Sequence, residues 1–304
     1  MMNISERLSF KAHHLEKVFI LLFTLIAGIL QNALCQSFDI QGHRGARGLY
    51  PENTTRGFLE TLRLGVYTLE MDVVITKDSQ VVLSHEPWVS ATICTIDKDD
   101  PEKWNIFQMT YDELKKIDCG SKPHPLFRQQ VSYKAYKPLL SEVIDSAENL
   151  ARINNLPMPV YNIEIKSTPD GDNKYHPAPQ TFAELVYNVL QEKNLIDRSI
   201  IQSFDIRALR AMKEINCYLK QSLLVSNPQS VRKNIKKLGY NPAIYSPNYR
   251  LVNRKTVRIC HKNSMKIIPW TVNKTYEMKK MKKIGCDGII TDYPDIAVKL
   301  FKSF

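Results

Sequence analysis

The chain has 304 residues with 42 Lys and Arg against 31 Asp and Glu, a formal net charge of +11. Its 43% hydrophobic and 24% charged residues exclude a disordered or collagen-like chain, and 11 Gly with 16 Pro are too few for a low-complexity linker protein. Six Cys exclude a disulfide-dense scaffold, and the length allows one large domain or two small ones.

Residues 18–30 read VFILLFTLIAGIL, thirteen residues without a charge, preceded by Arg7, Lys11 and Lys17. A membrane span needs about 20 residues. The run is short for one and suits the apolar core of a secretory signal. Ala33 and Cys35 place small residues ahead of a cut before Gln36. The sequence therefore predicts a signal peptide over residues 1–35, a mature chain over 36–304, and export to a periplasmic or extracellular space. An uncleaved anchor is the competing reading; once the signal is removed, no span is expected. In an oxidising compartment Cys94 and Cys119 are candidates for a disulfide, with free thiols the equal alternative.

Short β-rich apolar runs then alternate with helical patterns. Strands are predicted at 38–42, 68–74, 160–166, 199–203, 219–225, 243–246, 266–271 and 288–291. Helices are predicted at 54–64, 139–153, 179–192, 206–215, 228–238, 253–262, 276–283 and 294–301. This alternation is that of an α/β TIM (β/α)8 barrel. A doubly wound sheet is the alternative, but no GxGxxG follows the first strand. A second apolar run at Val81–Leu83 and the stretch 86–137 break the rhythm. That stretch holds Pro87, Pro101, Pro123 and Pro125, an acidic cluster at Asp97, Asp99 and Asp100, and a candidate short helix at 111–117. We read it as an insertion after strand 2 that forms one wall of the pocket.

The first strand ends in Gly42-His43-Arg44-Gly45, the end from which barrel enzymes project catalytic groups. Glu70 and Asp72 on the second strand are two apart, so they share a side, and the apolar residues around them make that side the interior. Two inward carboxylates repel unless a cation lies between them. Glu164 repeats the pattern on the third strand, beside Lys166. Three carboxylates and no imidazole suit one divalent ion, Ca2+ or Mg2+, better than zinc. Lys166 fits a substrate phosphate as a point charge, or else a buried ion pair with Glu164. His85 joins His43 near this cluster, and two imidazoles supply the base and the acid of a phosphodiester cleavage.

Together HRGARGLYPENT, LEMDVVITKD, VVLSHE, NIEIK, IIQSFD, PWTVN and GIITDYP resemble the glycerophosphodiester phosphodiesterase family, in family order from residue 42 to 294. The resemblance implies a TIM barrel with an insertion after strand 2. It implies Glu70, Asp72 and Glu164 as metal ligands, His43 and His85 as the acid–base pair, and Arg44 and Lys166 on the phosphate. Glu52 is implied near the metal or holding the first loop, and Trp270 as an aromatic wall for glycerol. Gln202, Ser203 and Phe204 carry more structural than catalytic weight on this reading, and Asp292 closes the barrel near the site without a catalytic role. One departure is Glu86, where the family commonly has Asp.

The activity implied is metal-dependent hydrolysis of a small-molecule glycerophosphodiester to sn-glycerol 3-phosphate and an alcohol. The alternatives are a lysophospholipase D or sphingomyelinase D-like enzyme acting on lipids, and a non-catalytic exported binding protein. Nothing in the sequence sets an oligomeric state. The charge splits unevenly: residues 36–204 carry 18 basic and 23 acidic side chains, residues 205–304 carry 21 and 6. Basic runs such as VRKNIKKL lack the interleaved aromatics of a nucleic-acid surface and read as outer helix faces, so no nucleic-acid partner is expected.

Overall fold

Among the described residues nine β-strands alternate with helices, except that the third strand follows the second directly. A computed structural model describes residues 38–301 apart from Asp99 and Pro101, so the predicted signal segment 1–35 and one member of the acidic cluster lie outside the described residues. The strands are β1 (Asp39–Gly42), β2 (Thr68–Ile75), β3 (Val81–Leu83), β4 (Val160–Ile165), β5 (Ser199–Ser203), β6 (Lys220–Val225), β7 (Ile244–Pro247), β8 (Lys266–Ile267) and β9 (Gly288–Thr291). The helices are α1 (Thr55–Arg63), α2 (Tyr111–Leu114), α3 (Leu140–Ile153), α4 (Pro179–Glu192), α5 (Ile206–Ile215), α6 (Val231–Leu238), α7 (Arg254–Lys262), α8 (Thr275–Ile284) and α9 (Pro294–Phe301).

Eight of the strands run parallel in the order β8-β7-β6-β5-β4-β2-β1-β9, with β3 set off this path. Backbone bonds from Asp287 N to Ile267 O (3.0 Å), Ile290 N to Pro269 O (2.9 Å) and Val272 N to Ile290 O (2.9 Å) join the two ends. The sheet is thereby a TIM barrel, as the alternating pattern predicts. The run predicted at 266–271 is a strand only at Lys266–Ile267. Pro269 within it has no N–H to give a ladder, although its carbonyl still accepts from Ile290.

Local chemistry starts and stops the helices where polar caps and glycines stand. Thr54 accepts from Gly57 N and opens α1, and Ser230 accepts from Lys233 N, so α6 begins after the predicted residue 228. Gly239 and Gly285 end α6 and α8 with φ near 95°, a left-handed turn that favours glycine. Phe58 and Leu62 of α1 pack onto Leu69 and Met71 of β2 in the main core. The basic side chains of α6, among them Arg232, Lys233, Lys236 and Lys237, are exposed, as are Lys279, Lys280, Lys282 and Lys283 of α8. The positive charge of the C-terminal half therefore sits on outer helix faces.

β3 pairs antiparallel with β2, through Val73↔Leu83 to Ile75↔Val81. The chain that follows carries no barrel strand among its described residues. It packs a small core of its own, with Val89, Cys94, Ile106, Tyr111, Leu114 and Cys119 against Val74 and Val82. Cys94 and Cys119 are joined in a disulfide, and Cys217, Cys260 and Cys286 are free. The only α-helix among the described residues of this stretch is α2, opened by a reciprocal cap between Thr110 and Glu113. No helix of the described residues is long and apolar enough to cross a membrane.

Candidate active site

The parallel register sets the acidic cluster. Asp72 lies opposite Glu164, and Glu164 lies opposite Gln202. Because side chains alternate along a strand, Glu70, Asp72 and Glu164 all point inward at the C-terminal ends of their strands. Each offers an oxygen within 4.8 Å of the others, and all three are buried. Burial and the neighbouring carboxylates push Glu70 well above the usual carboxylate range, and burial raises Glu164 in spite of Lys166. Burial would raise Asp72 too, but Arg44, His85 and Lys166 outweigh it and hold Asp72 well below its ordinary value. Three buried carboxylates this close repel one another, and a cation between them would relieve that repulsion.

The donor set fits a hard divalent cation. Asp72 Oδ1 is buried with no hydrogen-bond partner, and Lys166 Nζ lies 3.8 Å from it. The other oxygens are already oriented: Gln202 Nε2 donates to Glu70 Oε1 at 2.6 Å and Arg44 N to Glu70 Oε2 at 2.9 Å. Asn53 Nδ2 donates to Asp72 Oδ2 at 2.9 Å. Carboxylates held from behind by amides are the usual outer shell of a metal site.

The loop after β1 is shaped to reach this cluster. Arg44 and Asn53 have φ of 51° and 54°, in the left-handed region. For Arg44 that conformation has a steric cost, offset here because its N–H meets Glu70 and its carbonyl accepts from Asn53 N at 2.9 Å. Gly45 has φ 77°, and a Cβ there would lie 2.9 Å from the Gly57 carbonyl carbon. The loop thus packs on the start of α1 as only glycine allows. The Arg44 guanidinium is shared between Glu52 Oε1 (3.0 Å) and Asp72 Oδ2 (3.2 Å). Arg47 Nε meets Glu52 Oε2 at 2.7 Å. Burial would raise Glu52, but Arg44 and Arg47 bring it down to about 2. Glu52 is therefore a buried tie between two arginines and does not line the cavity.

Two histidines border the cluster, each backed by a carboxylate. His43 Nδ1 is 2.5 Å from Asp292 Oδ1, and His85 Nδ1 is 2.6 Å from Glu86 Oε1. Both carboxylates engage Nδ1, which leaves Nε2 of each ring for chemistry. Burial lowers the His43 pKa, with Asp292 opposing and Arg44 adding to the shift. Asn273 Nδ2 holds the other Asp292 oxygen at 2.7 Å. A cavity of about 240 Å3 is lined by His43, Arg44, Arg47, Glu70, His85, Glu164, Gln202 and Trp270 among others. Trp270 is fixed by its Nε1 bond to Ser246 O at 2.9 Å and by an edge-on contact with Phe204 at 5.3 Å. Lys166 Nζ bonds Glu164 Oε1 at 2.8 Å, the ion pair that stood as the competing account of this lysine.

Two contributors, Arg47 and Asn53, are absent from the residues singled out in the sequence, and two more, Gln202 and Asp292, carry only structural weight there. Arg47 lines the cavity beside Arg44. Asn53 and Gln202 orient metal-type carboxylates. Asp292, read above as a barrel-closing residue, holds His43; the pairing Gly42↔Thr291 brings the two strand ends level. The PENT and QSF motifs carried Asn53 and Gln202, but a neutral amide gives no signal in sequence until its partner is known.

The glycerophosphoryl diester phosphodiesterase family profile matches residues 43–296. A glycerophosphodiester phosphodiesterase of Caldanaerobacter subterraneus is 30% identical over 86% of this chain and 96% of its own length. A solved structure from Silicibacter pomeroyi, described as a putative glycerophosphoryl diester phosphodiesterase, superposes with a TM-score of 0.78 at 26% identity, over 88% of this chain and 93% of that one. An Oleispira antarctica phosphodiesterase solved with the product sn-glycerol-3-phosphate shares the fold, with a TM-score of 0.70 at 20% identity over 87% of this chain and 97% of that one. With inward carboxylates on β2 and β4, paired histidines at the same mouth, and a match across nearly all the described residues, the chain belongs to the glycerophosphoryl diester phosphodiesterase family.

Proposed function

We propose that this protein is a divalent-metal-dependent phosphodiesterase that cleaves glycerophosphodiesters to sn-glycerol 3-phosphate and an alcohol. The observation that carries this reading is the pair of carboxylate-held histidines lining one cavity with Glu70 and Glu164, which cluster with Asp72 behind them. Glu70, Asp72 and Glu164 would hold the cation, and the all-oxygen set suits Ca2+ or Mg2+. When bound, it supplies charge neutralisation at the phosphoryl oxygens. One histidine takes the proton of the attacking oxygen, and the other protonates the departing alcohol. Arg44 and Arg47 add positive charge at the cavity wall, Lys166 adds more from its bond to Glu164, and Trp270 gives the glycerol carbons an apolar face.

The same reading places the protein outside the cytoplasm. The uncharged run at 18–30 is its support in sequence, and the Cys94–Cys119 disulfide is its support in the folded part. The test of activity is turnover of glycerophosphodiesters and of a lysophospholipid after chelation and with each metal restored. Restored cleavage of the glycerophosphodiesters is expected. A preference for the lysophospholipid would replace the substrate assignment with the lipid one.

A further inference from the structure

The two histidines are not held alike. His43 leans on Asp292, a buried carboxylate whose other oxygen is bonded by Asn273. The side chains of His85 and Glu86 are 28% and 38% exposed, so water competes for the bond between them. The firmer hold on His85 comes from the backbone of Ser84-His85-Glu86.

That turn is fixed at both ends. Ser84 N donates to Asp72 O at 3.1 Å, and Ser84 Oγ donates to Glu86 O at 2.6 Å. Behind it stands Lys137, the last residue of the stretch read as an insertion. Lys137 Nζ donates to Ser84 Oγ at 2.9 Å. The residues after Lys137 bring it there: Leu83 N donates to Pro138 O at 2.9 Å, and Leu139 bridges to Val82. The chain of bonds runs one way, because an ammonium donates and cannot accept. Ser84 Oγ accepts from Lys137, which turns its own proton toward Glu86 O. Bonds in such a series strengthen one another. His85 sits between the two residues that the series ties.

A lysine is an expensive residue for this place. Lys137 and Ser84 are both buried, and the hydrogen bond that Lys137 makes is to a neutral hydroxyl. Burial lowers the Lys137 pKa although Glu52, Glu86 and Asp72 oppose the shift. An apolar side chain of the same length would hold the stem of the insertion without burying a charge. Lys137 is also absent from the lining of the 240 Å3 cavity, so direct contact with a ligand there does not account for it. We propose that Lys137 is a positioning residue for His85: its ammonium locks the Ser84–Glu86 turn and so aims the His85 ring into the cavity. This inference rests on the phosphodiesterase reading above.

The test measures kcat and KM for glycerophosphocholine with the full metal-supplemented protein. Lys137→Met keeps most of the side-chain length and leaves Ser84 its bond to Glu86 O. It should lower kcat by roughly 10- to 100-fold, the scale of a slightly misplaced catalytic group, with KM within about twofold of wild type. Ser84→Ala should do the same, and the double variant should be no slower than the slower single one, because both act through one series of bonds. A merely structural role would lower Tm and leave kcat per folded molecule as in wild type. An unchanged kcat in Lys137→Met, a loss carried by KM instead, or losses that multiply in the double variant overturn the proposal. Imidazole NMR spectra read the ring without turnover. The His85 signals, assigned by their absence in His85→Ala, should move in Lys137→Met while those of His43 stay. Unmoved His85 signals overturn the proposal. A wild type that cleaves no glycerophosphodiester overturns the activity instead, and the His85 signals still decide the role of Lys137.

Discussion

His43 Nδ1 lies 2.5 Å from Asp292 Oδ1, although 249 residues separate the two in the chain. The carboxylate fixes which imidazole nitrogen faces the cavity, and it opposes the burial that lowers the His43 pKa. We predict that Asp292→Asn lowers kcat by about 10²-fold with KM nearly unchanged. Removing an influence that raises the His43 pKa should also move any His43-governed limb of the kcat/KM–pH profile to lower pH. A normal kcat in this variant would show that the pair does no more than close the barrel.

Glu86 stands to His85 as Asp292 stands to His43, at 2.6 Å, but on a more exposed face. Solvent can replace part of what it does. Glu86→Gln should therefore cost less than Asp292→Asn, roughly tenfold in kcat. Steady-state kinetics on both variants orders the two pairs.

The acidic cluster should make stability depend on divalent cations. A cation that binds only the folded state at about 100 times its Kd adds roughly 2.7 kcal/mol, which raises Tm by several degrees. Asp72→Asn and Glu70→Gln should lose that rise and nearly all turnover. Thermal unfolding with and without chelator checks this, and a cation-dependent Tm that persists in both variants would place the ion elsewhere.

Glu52 links the first loop to acid stability. Its folded pKa, about 2, lies below the ordinary 4.5. Below 4.5 the unfolded chain binds a proton that the folded one does not, so stability falls as pH drops from 4.5 toward 2. The contribution lost is on the order of 3 kcal/mol. Glu52→Gln should flatten this part of the stability–pH curve. It should also destabilise at neutral pH, because Arg44 and Arg47 lose their shared partner.

The disulfide closes a 25-residue separation between Cys94 and Cys119. Chain-entropy arguments assign such a loop about 3 kcal/mol. The double Cys→Ser variant should unfold at lower denaturant, and the loss should concentrate in the small core around Val89 and Ile106, read by hydrogen exchange.

Much of the barrel was legible because its signals are local. Alternation of short apolar runs with amphipathic stretches predicted eight strands and eight helices, and the cap at Ser230 or the proline at 269 moved only boundaries. The i, i+2 spacing of Glu70 and Asp72 sufficed to put both on one side, since side-chain direction in a strand follows from sequence parity. The motifs carried His43, His85, Glu164, Lys166 and Trp270 to one mouth. Other relationships depend on closure of the barrel. Asp292 reaches His43 because β9 pairs with β1, Gln202 reaches Glu70 because β4 lies between β5 and β2, and Trp88 meets Tyr175 because the chain after β3 folds over the chain after β4. The sequence by itself determined which residues alternate, cap and turn, and so the architecture and the chemical inventory. Only the tertiary structure decided which carboxylate backs which histidine and which amide backs which carboxylate, because those contacts join distant segments and leave no periodic trace in the chain.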